Sequence, residues 1–241
     1  MIKRIDRIIS EQTNYSRKEI KKMISMGIVY ANGKIINKCD NKYDEDNVII
    51  KISNEEIEIK KHIYLILNKP KGFVSTTDVV KENSVLNLVP DKYRKRKLFP
   101  AGRLDKDTTG LMIITDDGEF AHNILAPNKH IEKGYEVTID IPISKKMISD
   151  FKTGLVLKDE QCKPAILTVK NKYLAEVRLT EGKYHQIKRM FGCFGAKVLE
   201  LHRITMGNLN LPADISEGCC REITEQEMKL LKEVWKWSKM L

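Results

Sequence analysis

Residues 98–120 read LFPAGRLDKDTTGLMIITDDGEF. Within them Leu111, Met112, Ile113 and Ile114 make a short continuous apolar run, the pattern of a strand buried on both faces. Asp116-Asp117-Gly118 is a turn signal leading into a helix that begins near Glu119. Ahead of the run lies a charged loop, Ala101 to Gly110, in which Arg103, Asp105 and Asp107 sit beside Thr108 and Thr109. Loops fixed on a rigid strand are where binding and catalytic groups gather. The fold is therefore expected to place this loop at its working surface.

Each acidic residue here also has a plainer reading. Asp116 and Asp117 serve most simply as turn and N-cap residues, because short carboxylates accept hydrogen bonds from free backbone donors at a helix start. DKDTTGLMIITD brushes the calcium-loop pattern, but it lacks the terminal bidentate Glu and puts Ile113 at a ligand position, so calcium is not expected. Asp105 could bond its own loop or carry chemistry, and this window alone leaves both open.

Composition narrows the partner. The chain has 241 residues, enough for one large or two modest domains, with 41% apolar residues to build a core. Its net charge of +10 favours a polyanionic partner, most often nucleic acid. Cys39, Cys162, Cys193, Cys219 and Cys220 show no CxxC spacing, so neither a zinc site nor a disulfide framework is indicated, and reduced thiols in the cytoplasm are expected. Arg4, Asp6 and Arg7 interrupt any signal region, and no apolar run reaches membrane length.

Residues 1–58 read as a separate module. Ile2, Ile5, Ile8 and Ile9 recur at helical spacing, and Ser16-Arg17-Lys18-Glu19 is a capping box opening a second helix that Gly27 ends. Asn32-Gly33 between residues 28–31 and 34–36 is a strong hairpin signal, and 47–52 supplies a further strand. Up to Lys38 there are nine basic and three acidic side chains, a surplus of six centred on the second helix. A solvated helix face would account for it, but clustering on one small module fits phosphate contacts better. The stretch SRKEIKKMISMGIVYANGKIINK resembles the αL-motif RNA-binding domain shared with a small-subunit ribosomal protein. That resemblance implies binding to structured RNA, with Lys18, Lys21 and Lys22 as contacts.

The charged, glycine-free segment 55–61 reads as the connection, which puts the linker at 59–62 and a second domain at 63–241. There, strands are expected at 63–67 and 73–76, flanking the turn Lys69-Pro70-Lys71-Gly72, whose lysines are free to touch a ligand. A short helix follows at 85–89. Basic residues interleaved with Tyr93, Arg94 and Arg96 among them, suit phosphate pairing with base stacking, although a solvated loop reads nearly as well. Strands are expected at 135–141, 165–169, 175–179, 198–204 and 208–211, with a helix at 145–154. In EGKYHQIKRMF, Ile187, Met190 and Phe191 recur at helical spacing beneath a basic face that includes Lys188 and Arg189, while an isolated His185 is most often structural. Thr224 and Glu227 cap a last helix with Met228, Leu231 and Trp235 as its buried stripe. Without regular βαβ alternation, this domain reads as α+β with a mostly antiparallel sheet.

The motifs then converge. GRLDKDTTGLMIITDDGEF resembles the catalytic loop of pseudouridine synthases, Lys133-Gly134-Tyr135 their second motif and EGKYHQIKRMF their third, in the same order and spacing. With LNKPKGFVSTTD, KPAILTV and VLELHR the likeness spans nearly the whole chain and is nearest to the branch acting on small-subunit (16S) ribosomal RNA. It implies isomerisation of a uridine: the N1–C1′ bond breaks, uracil turns, and C5 joins C1′. No redox change occurs, so neither cofactor nor metal is expected. The resemblance makes Asp105 the catalytic carboxylate, by attack on C1′ or removal of the 2′ proton. A carboxylate beside an extruded base needs a nearby cation to stay ionised, and Lys188 matches that partner. Tyr135 matches the active-site tyrosine that stacks on uracil. Arg103 matches a residue that fills the space of the flipped base or grips phosphate. Gly134 departs from the Thr expected there, which puts the placement of Tyr135 in question, and Cys219-Cys220 replaces commoner polar or aromatic residues.

The expected partner is 16S ribosomal RNA or an assembling small subunit, the expected state a cytoplasmic monomer with no membrane contact. A large-subunit (23S) synthase of the same family is the nearest alternative, and a non-catalytic assembly factor the alternative of another class. A metal-dependent nuclease is weaker, because no second acidic cluster accompanies Asp105 and Asp107.

Overall fold

A computed structural model describes residues 1–80, 83–126, 131–158 and 160–237, with side chains in the last helix described through Lys232. These form two compact units, one from residues 1–63 and 89–98, the other from residues 64–88 and those after 98.

In the first unit, β1 (Ile2–Arg4) leads into α1 (Ile5–Gln12) and α2 (Arg17–Ser25), followed by β2 (Val29–Ala31), β3 (Lys34–Ile35), β4 (Lys42–Asp44), β5 (Ile50–Ile52) and β6 (Glu55–Ile57). The expected capping box is present: Ser16 Oγ accepts the Glu19 N–H, and Glu19 accepts the Ser16 N–H. Asn32 and Gly33 both take positive φ, 50° and 78°, as a tight two-residue hairpin requires. Ile5, Ile8, Ile9, Ile20 and Ile24 bury against Val29 and Ile50 in a core of their own.

Three expectations need correction here. Ile2 belongs to β1, paired with β4, and not to the first helix. Residues 55–57, expected to begin the connection, pair with β5. Tyr93, expected to offer a stacking face, is buried, and residues 89–98 cluster with this unit.

The second unit contains β7 (Tyr64–Lys69), β8 (Phe99–Ala101), β9 (Thr109–Thr115), α3 (Gly118–Leu125), β10 (Lys133–Ile139), α4 (Lys145–Thr153), β11 (Val156–Leu157), β12 (Glu160–Gln161), β13 (Ile166–Val169), β14 (Leu174–Leu179), α5 (Gln186–Gly192), β15 (Val198–Met206), β16 (Leu209–Asn210), β17 (Cys220–Glu222) and α6 (Glu225–Trp237). The sheet order is β13-β14-β10-β15-β9-β7-β17, with β16 beside β15 and β8 beside β9. Among the described strands only β15 and β9 pair in parallel, so the α+β class with a mostly antiparallel sheet holds.

Strand β9 is the hub. Leu111, Met112, Ile113 and Ile114 are fully buried, as the continuous apolar run requires. One side pairs with β7 along its whole length, and the other meets β15 at Thr109 and Gly110 and β8 at its far end. Asp117 caps α3 by accepting the Phe120 N–H, and Thr224 with Glu227 caps α6. Leu231 of the expected α6 stripe is buried and Met228 packs beside it; the Trp235 side chain lies outside the described side chains. The strand expected at 73–76 is absent: Val74 makes one isolated bridge with Ser84, while the Ser75 and Ser84 hydroxyls donate to backbone carbonyls instead. The short helix after it is a 3-10 turn, Val85–Leu88.

Gly110 marks the closest approach in the sheet. Its φ is +99°, and a Cβ there would overlap the Arg203 carbonyl and amide of β15. Gly110→Ala is therefore expected to destabilise the protein by about 1–3 kcal/mol from backbone strain, with the overlap adding to it. Urea unfolding should show a lower midpoint at constant slope, and an unchanged midpoint would contradict this packing.

Candidate active site

The loop between β8 and β9 is held from inside. Lys69 at the end of β7 is fully buried, and its ammonium donates to the carbonyls of Pro70 (3.1 Å), Lys106 (3.3 Å) and Thr108 (2.6 Å). Burial pulls its pKa down to about 8, against the charges of Asp107 and Asp105. The Gly72 N–H donates to the Lys106 carbonyl, and Ser75 Oγ both accepts the Leu104 N–H and donates to the Leu104 carbonyl. Asp105 thus rises from a backbone tied on either side.

Three elements converge on it. From α5, Lys188 Nζ stands 3.2 Å from Asp105 Oδ2 and 2.6 Å from Asp107 Oδ1. Burial opposes the Lys188 charge, but hydrogen bonds to Asp107 and Asp105 outweigh it and raise the pKa. For Asp107 burial likewise works against ionisation, and Lys188 reverses it, holding the carboxyl below its ordinary value. His185 Nε2 lies 3.4 Å from the other oxygen of Asp105. Tyr135 enters from β10, and with Arg103, Leu179 and Leu201 it lines the same cleft as Asp105 and Lys188. A carboxylate paired with an ammonium, beside an aromatic ring in a cleft walled by leucines, suits a flat, partly apolar ring carrying a sugar.

The second motif reveals why Gly134 is tolerated. The pairing of β10 with β15 shifts register between Gly134 and Tyr135, a bulge of the kind that re-aims a side chain. The Gly134 N–H donates to Thr205 Oγ1 at 2.9 Å, and a Cβ on Gly134 would overlap that hydroxyl. The space that a threonine would occupy at position 134 is filled from the neighbouring strand.

A family model for RNA pseudouridylate synthase matches residues 63–192. This chain belongs to the RNA pseudouridine synthase family. The enzyme is accordingly an isomerase that converts uridine in RNA to pseudouridine. It is 37% identical over 227 residues to ribosomal small subunit pseudouridine synthase A of Escherichia coli (strain K12), covering 93% of this chain and 98% of that protein. It is 36% identical over 235 residues to the RNA pseudouridine synthase YtzG of Bacillus subtilis (strain 168), covering 95% and 98%. A solved pseudouridylate synthase superposes with a TM-score of 0.68 at 34% identity, covering 95% of this chain and 99% of that one.

The other residues singled out in the enzyme's sequence divide sharply. Lys18, Lys21 and Lys22 are exposed along α2, and Lys71 is exposed beside its turn. Lys69 is not free to touch a ligand, because the loop carbonyls enclose it. Arg96 is likewise spent, donating to Gln12 and to the carbonyls of Lys60 and Lys61. Arg94 is exposed and pairs with Asp91, while Arg189 leans on Glu160 and the Leu157 carbonyl. His185 is the residue that the sequence reading set aside. The signal was its spacing: three residues before Lys188 at a helix start, it falls on the same face. Among the described residues, no helix is long and apolar enough to cross a membrane.

Two outcomes follow from this geometry. Gly134→Thr is expected to slow catalysis by displacing the bulge that places Tyr135, and Thr205→Gly in the same chain should restore part of the loss in single-turnover assays. Lys133, buried and beside Arg203, is lowered to about 8, first by burial and then by that charge. Lysine in the unfolded chain titrates near 10.5. Above pH about 8 the unfolded state thus holds more protons, so stability rises with pH up to the unfolded value, by at most about 1.4 kcal/mol per unit. Lys69 is lowered over the same window, so Lys133→Met should reduce the slope of the urea midpoints without abolishing it.

Proposed function

We propose that the enzyme modifies a uridine of 16S ribosomal RNA, with Asp105 as the catalytic carboxylate. The observation carrying this reading is the placement of Asp105 on a braced loop, 3.2 Å from Lys188, in one cleft with Tyr135 and Arg103. Its agreement over nearly the full length with a small-subunit synthase supports the choice of RNA. A uridine stacked in RNA cannot reach such a cleft, so the target base is flipped out at a cost of a few kcal/mol. Arg103, exposed at the cleft, fills the vacated space or holds the adjoining phosphate. Tyr135 stacks on the uracil while Asp105 acts at the sugar, and Lys188 balances the carboxylate charge. No electron leaves the substrate, so these side chains can carry the isomerisation themselves.

The first unit is the RNA-binding domain in this reading, gripping structured RNA through Lys18, Lys21 and Lys22 of α2. Free 16S RNA and an assembling small subunit in the cytoplasm are both suitable substrates.

Carbodiimide primer-extension mapping on unmodified 16S and 23S RNA tests the assignment. A new stop in 16S RNA is expected, whereas a stop in 23S RNA alone would keep the chemistry and overturn the substrate. Asp105→Asn should lower the rate at least about 10³-fold while RNA affinity stays within a few-fold. Appreciable pseudouridine from that variant would remove Asp105 from the role.

A further inference from the structure

We infer that His185 is a positioning residue for Asp105, donating from Nε2 to Oδ1 and so fixing the direction in which the carboxylate faces the substrate. The inference rests on the reading that Asp105 performs the chemistry.

Lys188 cannot orient Asp105 by itself. It is one ammonium between two carboxylates, and its 2.6 Å contact with Asp107 is shorter than its 3.2 Å contact with Asp105. An ammonium also rotates freely and imposes no plane on its partner. With Oδ2 alone engaged, the Asp105 carboxylate could swing about that contact. His185 Nε2, 3.4 Å from Oδ1, stands where a donor would supply the second point that defines its plane. The pair stands at ion-pair distance without the alignment of a hydrogen bond, and catalytic contacts commonly tighten only when substrate closes the site.

The chain holds His185 in place at a cost. Its backbone is left-handed, φ 48° and ψ 34°, at the N-cap of α5, a conformation that is unfavourable for a residue bearing a side chain. Such strain persists only where the surroundings over-determine it, and it clusters at functional sites. Here the surroundings do so. Gln186, itself buried, accepts the Lys183 N–H and donates to Glu181, which in turn accepts the Lys163 N–H. The ring of Tyr184 stacks on His185 at 3.8 Å between centroids and 21° between planes, backing the imidazole. Backbone, brace and stacked ring together leave the imidazole beside Asp105. His185 makes no cap hydrogen bond to its own helix that would explain the conformation otherwise.

Two variants separate the donor from the ring. His185→Phe keeps a ring against Tyr184 and removes the donor; His185→Gln keeps an amide N–H near the position of Nε2 and removes the ring. Single-turnover rates at saturating 16S RNA are expected to fall about ten-fold or more in His185→Phe and to recover largely in His185→Gln, with RNA affinity within two-fold in both. A wild-type rate in His185→Phe, or equal losses in the two variants, would overturn the inference. Nitrogen-15 spectra of the intact wild-type enzyme give an independent reading that needs no variant. The neutral ring should carry its proton on Nε2, and a proton on Nδ1 would overturn the proposal. Asp105→Asn run alongside keeps the two readings apart: activity in that variant defeats the catalytic assignment itself, while its loss together with an unimpaired His185→Phe defeats only the positioning role.

Discussion

A buried ammonium must find acceptors, and much of the second unit is arranged around that need at Lys69. Its side chain points into protein at the end of β7, where no water is available to solvate it. The carbonyls of Pro70, Lys106 and Thr108 answer that demand. Two of the three lie in the loop that carries Asp105, so satisfying the lysine shapes the loop. Removing the ammonium would free these carbonyls and the loop together. The same loop then enters β9 through Gly110, where only a missing side chain lets the backbone pass Arg203. Arg203 in turn donates from Nε to the Leu111 carbonyl, so strand and loop are held by one buried pair of cations.

On that frame the site is assembled from three places distant in sequence: a loop, the bulged start of β10 and the first turn of α5. Charge is the organising quantity. Lys188 serves two carboxylates, and its preference for Asp107 leaves Asp105 in contact but not immobilised by the ammonium alone. Apolar neighbours such as Leu179, Leu201 and Ile187 keep the cleft from being a simple polar surface. A reaction that rearranges a nucleoside without redox chemistry needs chiefly orientation and a stable charge, and pre-set geometry supplies both.

The first unit carries different physics. Its isoleucine-rich core closes on itself, which releases the outer face of α2 for cations that have no structural duty. In residues 89–98 the opposite happens. Tyr93 is buried and Arg96 joins the backbone at Lys60 and Lys61, so a run that looks like a nucleic-acid contact is partly a packing element.

Local rules determined a good deal from sequence alone. The capping boxes at Ser16 and Thr224, the Asn32-Gly33 hairpin and the buried run Leu111 to Ile114 depend on neighbours a few residues away, and all are present. The motifs also brought Asp105, Tyr135, Lys188 and Arg103 to a single cleft. Tertiary structure decided the rest. Whether Lys69, Tyr93 or Arg96 faces solvent, whether 55–57 forms a strand and 73–76 does not, and that His185 meets Asp105 across 79 intervening positions all turn on partners remote in the chain. A side chain's burial and a backbone's hydrogen bonds are set by what packs against them, and that is not written in the residues on either side.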